Sequence, residues 1–140
     1  MGEPKPLRLL AQDQEDLDVI SAAMQDAVMK VGDIVYEPAA HRLTIAFNRY
    51  RWEAGGARVR SGLQLGGVLG VQTRKIRRGA KDAVLELLAM TFSAGEAPGG
   101  DVTLSFAGGG DLRASVECIE AVLADVSTPW PTPRTPAHEL

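Results

Sequence analysis

The chain has 140 residues, 45% hydrophobic and 24% charged, an ordinary globular balance that is sufficient for one domain with a real core. A net charge of −3 excludes a global basic bias toward nucleic acid, and one cysteine, Cys118, excludes an intramolecular disulfide and a cysteine metal cluster. The N-terminus MGEPKPLRLL has no long apolar segment, Pro6 stands where a myristoylation signal needs Ser or Thr, and the longest uncharged stretch, Ser61 to Thr73, is too short and glycine-broken to cross a bilayer. The expectation is a soluble cytoplasmic domain with no membrane partner.

In chain order, Leu7 to Ala11 reads as a short strand after a polar tail. Asp13 then fits an N-cap with acids in the first turn, and Leu17, Ile20, Met24 and Ala27 share one helical face, which predicts a helix over 14–27. Asp13, Glu15, Asp16 and Asp18 are better explained as a capped, solvated helix start than as a metal site. Val31 to Tyr36 is apolar up to Glu37-Pro38, and a turn follows.

Leu43, Ile45 and Phe47 alternate on one strand face. In the next stretch, NRYRWE (48–53), Tyr50 and Trp52 fall out of that phase. A straight strand would bury Arg49 and Arg51, which is costly for unpaired guanidiniums, so a bulge at Asn48-Arg49 is predicted. A two-residue loop at Gly55-Gly56 then pairs Trp52 with Val59, Glu53 with Arg58 and Arg51 with Arg60. Beyond the bulge it pairs Phe47 with Leu63 and Ile45 with Leu65. Both rings lie inside and all four arginines outside.

Further strands are predicted over 68–73, 84–92 and 101–107, with TRKIRRGAKD as a basic loop between the first two. Leu112 to Cys118 alternates, placing Cys118 on an inner strand face as a buried apolar thiol. From Ile119 the phase shifts, which fits either a second bulge near Cys118-Ile119 or a helix from Val116. The division is one domain over 1–126 and a proline-rich tail over 127–140, with Trp130 expected to dock on the sheet.

Several segments, QDAVMKVGDIVY, NRYRWE, VTLSFAGGGDLRASVECIEAVLADV and the closing PW and PAHEL, resemble an uncharacterised bacterial family, domain of unknown function 2948, over about Leu7 to Glu139. The resemblance carries no catalytic motif and implies no functional residue. The family's gene neighbourhoods, beside cell-wall precursor and histidine synthesis, imply a cytoplasmic setting.

The two histidines, His41 and His138, lie in a turn and the tail, so a histidine triad or metal cage is unsupported. GGVLG at 66–70 lacks the spacing of a dinucleotide fingerprint, and Glu117 and Glu120 fit a carboxylate pair or exposed strand or helix positions equally well. No cofactor, metal or catalytic residue is assigned. Charge layout is the unusual feature. Residues 42–81 hold ten basic residues and one acid, Glu53, a net +9, whereas the rest, with five basic and seventeen acidic residues, carries −12.

The expected fold is α+β, a twisted antiparallel sheet of six or seven strands with one N-terminal helix on it, with a half-open roll of the pleckstrin-homology kind as an alternative. The expected function is a non-catalytic binding or adaptor domain. Its basic sheet face, Arg49, Arg51, Arg58, Arg60, Arg74, Lys75, Arg77 and Arg78, would meet an acidic protein or other anion. RNA binding by the same arginines and an enzyme with an unrecognised site are the alternatives.

Overall fold

Asp13 starts the helix: its Oδ1 accepts a hydrogen bond from Asp16 N at 2.8 Å, with Glu15 and Asp16 in the first turn. The computed structural model describes residues 6–51 and 57–127 and the backbone of 130–131. Helix α1 spans Gln14–Ala23 and buries Leu17 and Ile20, with Met24 buried just beyond. It stops short of the expected Ala27 because Asp26 takes φ 63°, a left-handed conformation that a right-handed helix cannot continue through. Asp26 N donates to Leu87 O and Leu87 N to Ala27 O, so the chain leaves the helix directly into sheet pairing. The four acids of the helix start are exposed.

The strands are β1 (Arg8–Ala11), β2 (Val28–Lys30), β3 (Ile34–Glu37), β4 (Arg42–Tyr50), β5 (Ala57–Leu65), β6 (Val68–Arg74), β7 (Val84–Ala94), β8 (Gly100–Phe106), β9 (Asp111–Val116), β10 (Ala121–Asp125) and β11 (Trp130–Pro131). The fold is α+β, with antiparallel pairing at every strand pair. The sheet has eleven strands, ten without the two-residue β11, rather than six or seven. The excess comes from short pieces. A 3-10 turn over Val31–Asp33 divides the 28–37 run into β2 and β3, both of which pair with β4. Backbone pairing of Trp130 with Arg58 and Pro131 with Ala57 seats that part of the tail on β5.

Pairing runs β1-β10-β5-β4-β2-β7-β8-β9-β6, which leaves β1 and β6 as the two ends. The sheet nevertheless curls. β5 runs into β6 through Gly66-Gly67, and β9 runs into β10 through 117–120. The two bends hydrogen-bond to each other, Gly66 N to Glu120 O and Glu117 N to Gly67 O. The expected second bulge or helix is therefore neither. The phase shift after Val116 marks a chain that leaves its partners β6 and β8 for new ones, β5 and β1. Cys118 sits in this bend, half-buried, and not on a strand face.

Alternating residues of both halves fill one core: Leu43, Ile45 and Phe47 of β4, Leu63 and Leu65 of β5, Leu87 and Met90 of β7, Val102, Leu104 and Phe106 of β8, Leu112 and Ala114 of β9. Helix α1 closes one side against β1 and β7, and its Ser21 Oγ accepts from Met90 N at 3.0 Å beside the register shift at 87–89.

The β4–β5 register corrects the reading of NRYRWE. Leu43 pairs with Leu65 and Ile45 with Leu63, two residues from the expected register, a slip that preserves faces because side chains alternate with period two. No bulge follows. Asn48 faces Arg60, Arg49 faces Val59 and Tyr50 faces Arg58. The predicted pairings of Arg51 with Arg60, Trp52 with Val59 and Glu53 with Arg58 are thus replaced, and Arg51 N donates to Ala57 O at 2.8 Å instead. The Gly55-Gly56 loop and the surroundings of Trp52 lie outside the described residues.

Candidate binding site

An unbroken β4 puts Arg49 on the same face as Leu43, Ile45 and Phe47, and Arg49 is fully buried there. A buried guanidinium needs a paired anion, and β10 supplies Asp125. Arg49 Nε and Nη2 donate to Asp125 Oδ1 and Oδ2, each at 2.9 Å, and Nη1 donates to Tyr50 O at 3.4 Å. Ser61 Oγ donates to Asp125 Oδ1 at 2.6 Å and Leu7 N to Oδ2 at 2.8 Å. Burial pushes the Asp125 carboxyl up, but the hydrogen bonds from Arg49, Ser61 and Leu7 and the Arg49 charge outweigh it, so its pKa lies below the usual value. The expectation that Arg49 lies outside is overturned: desolvation is offset by a bidentate partner 76 residues away in sequence.

Arg51 is also buried, against expectation. Arg58 and Arg60 are half-buried. Arg60 reaches Asp33 at 3.4 Å and Asn48 at 3.2 Å, and Arg58 Nη1 is buried with no hydrogen-bond partner among the described residues. Arg42 pairs with Glu37 in two hydrogen bonds, which lower the Glu37 carboxyl and raise the Arg42 guanidinium in pKa. Three of the ten basic residues of 42–81, Arg42, Arg49 and Arg60, are thus matched by acids from 33, 37 and 125. Tyr50 is buried, as expected, but opposite Arg58 and on the face away from Leu43, Ile45 and Phe47, not on their face through a bulge.

The four remaining candidate residues, Arg74, Lys75, Arg77 and Arg78, form a different surface. Arg74 ends β6, and Lys75, Arg77 and Arg78 follow in the β6–β7 connection, all exposed. Arg74 pairs with Asp111 at 2.6 Å, and Arg78 Nε donates to Thr73 Oγ1 at 3.0 Å. Lys75 takes φ 58°, which turns the chain back so that Ile76 packs against the core edge.

This turn closes over a cavity of about 160 Å³. Its floor is Val31, Leu43 and Leu112, its sides are Ile34 and Tyr36 of β3 and Val71 and Thr73 of β6, and Ile76 and Arg78 form the rim. The arrangement can hold an apolar group with negative charge beside it. The sequence singled out Arg78 and its neighbours but missed the cavity, because Tyr36, Leu43, Val71 and Leu112 come from four strands whose meeting depends on the curl. A second recess on the opposite face of β6 and β9 is lined by Gln72, Thr73, Arg74, Asp111 and Arg113.

Among the described residues there is no cluster of His, Cys, Asp and Glu suited to a metal ion, and no helix is long and apolar enough to cross a membrane. A family model described as "Protein of unknown function (DUF2948)" matches residues 7–138, and the chain belongs to that family. No curated protein and no solved structure matches the chain.

Proposed function

We propose that the protein is a non-catalytic binding domain of the cytoplasm that takes an acidic segment of a partner protein at the cavity beside β6. The observation that carries this reading is the run of exposed cations Arg74, Lys75, Arg77 and Arg78 at the end of β6, with Arg78 on the rim of an apolar cavity. Several exposed positive charges attract an acidic segment, and a desolvated apolar contact beside them fixes its position. The open sheet supports it too, since β6 is one of its ends. Arg49 and Arg51 are withdrawn from the partner surface, and Arg58 and Arg60 are secondary to the four exposed cations.

RNA is the second reading, because the same cations suit phosphates. It lacks a stacking platform among the described residues, where Phe47, Tyr50 and Phe106 are buried and Tyr36 and Phe92 half-buried. An enzyme would need convergent polar groups, and the cavity wall offers the Thr73 hydroxyl, the Tyr36 ring and the Arg78 guanidinium.

The test is retention on immobilised polyglutamate and on immobilised RNA, for the parent and for a variant with Arg74, Lys75, Arg77 and Arg78 each changed to Gln. The parent is expected to bind polyglutamate in a salt-sensitive way, and the variant to elute early with an unchanged melting curve. Equal elution of the two proteins removes the proposal, and retention on RNA alone favours the second reading.

A further inference from the structure

We infer that the acidic segment binds as an added β-strand along the free edge of β6, with apolar and acidic residues in strict alternation. This rests on the reading of the β6 region as an anionic-partner site and adds the mode of binding.

β6 pairs with β9 on one side and has no strand on its other side among the described residues. Alternate backbone N–H and C=O groups of an edge strand point outward and can pair with a further chain. Among the described residues the backbone of that side is tied at its start, where Val68 N donates to His41 O at 2.8 Å and Val68 O lies 3.2 Å from His41 Nδ1. Leu69 is the extra residue at the register shift between Val68 and Gly70 and is 56% exposed. From Gly70 to Arg74 the pairing with β9 is regular, so the free edge is straight enough to template a neighbour.

The two faces of β6 differ, and the difference dictates the pattern of the added strand. Val71 and Thr73 face the cavity, whereas Gln72 and Arg74 face outward, beside Arg113 and Asp111. Side chains of a strand laid against β6 alternate between the same two faces. One set meets the apolar cavity and should be aliphatic. The other meets Gln72 and Arg74, with Lys75 and Arg77 beyond, and should be acidic. A second copy of this chain is a poor occupant, because its β6 edge, Gly70 to Arg74, carries no acidic residue to meet Arg74 and Lys75.

Fluorescence anisotropy with a labelled peptide alternating glutamate with valine and leucine tests the idea. Its comparator is the same peptide N-methylated at alternate residues, which keeps charge and side chains but removes the backbone donors on one edge; both edge phases are made. One N-methylated phase should bind about tenfold or more weakly than the parent peptide. Val71→Arg, which puts a charge into the cavity wall, should weaken binding by a similar factor, whereas Leu10→Arg, on the distant edge strand β1, should leave it unchanged; melting curves confirm that both variants fold. Equal binding of the parent peptide and both N-methylated phases overturns the added strand and leaves the anion-binding surface standing. If no peptide binds while polyglutamate is still retained, the strand idea alone falls. If neither binds, both readings fall.

Discussion

Arg49 of β4 and Asp125 of β10 form a bidentate ion pair with side chains 0% and 3% exposed, and Asp125 also ties down Ser61 and the backbone of Leu7. One carboxylate therefore joins β4, β5, β10 and the start of β1 at the point where the strand pattern puts a guanidinium in the core. Removing one partner leaves the other charge buried and unpaired, so Arg49→Met or Asp125→Leu should cost about 3–5 kcal/mol. Arg49→Met combined with Asp125→Asn removes both charges and keeps one acceptor oxygen for Leu7 N, while the amide NH2 can donate to the Ser61 hydroxyl. It should cost clearly less than the sum of its single changes in a urea-denaturation cycle. Additive losses would show that the pair is not coupled.

The same carboxylate sets an acid limit on stability. Its pKa is lowered in the fold, despite burial, by Arg49, Ser61 and Leu7. A group depressed on folding contributes its full stability above its ordinary value of 3.8, and that contribution is lost as pH falls through the lower folded value. Unfolding free energy should therefore decline steeply below about pH 4, the usual range of an aspartate. Asp125→Asn, less stable at neutral pH, should show a shallower decline over the same window. Parallel curves for the two proteins would exclude Asp125 as a major contributor.

Not all ion pairs here carry such weight. Arg74 and Asp111 are as close, at 2.6 Å, but the Arg74 side chain is 73% exposed. Solvent and salt screen such a pair, so Asp111→Asn should change stability by about 1 kcal/mol or less. A loss comparable to that of Arg49→Met would mean that the β6–β9 end is held by charge rather than by packing.

The contrast explains which parts of the molecule the sequence made legible. The helix start at Asp13, the alternation of Leu43, Ile45 and Phe47 and the strands on either side of AGGGD follow from local periodicity and were readable. The expected bulge is absent because Arg49 has a partner, Asp125, that the local sequence does not show. The odd phase 43, 45, 47, 49 was the simpler pattern, and its cost is met by an aspartate in AVLAD, far along the chain. The cavity was not legible for the same reason: period-two patterns give faces, while the meeting of β3 with β6 depends on bends at Gly66-Gly67 and 117–120. Gly67 marks the bend, since it takes φ 62°, a conformation that side-chain-bearing residues rarely adopt. The cationic loop was visible as composition, but composition could not separate its exposed members from Arg49 and Arg51.

Helix α1 offers a local test. Asp13 caps it through Asp16 N, and no tertiary contact is needed to explain that bond. Asp13→Ala should cost about 0.5–2 kcal/mol, and Asp13→Ser much less, because serine can accept the same hydrogen bond. Equal losses for the two substitutions in thermal or urea melts would mean that the cap is not what stabilises the first turn.

The chain beyond Val126 provides the last prediction. Val126 N donates to Arg60 O at 2.8 Å, and Ser127 Oγ accepts from Arg60 N at 2.9 Å. Trp130 and Pro131 then continue along β5 opposite Arg58 and Ala57. Ending the chain at Val126 removes the Ser127 acceptor and β11, which uncovers the β5 edge next to the 52–56 connection. Hydrogen bonds of this kind contribute about 0.5–1.5 kcal/mol each, so the truncated protein should lose roughly 1–3 kcal/mol. Ser127→Ala alone should account for about 1 kcal/mol of it. Hydrogen exchange distinguishes this from a general loss: amides of 57–60 should exchange faster in the truncated protein, while those of β8 and β9, on the far half of the sheet, should slow or quicken only with global stability. If melting and exchange at 57–60 are both unchanged, β11 is a contact without energetic consequence, and the tail is free for another role.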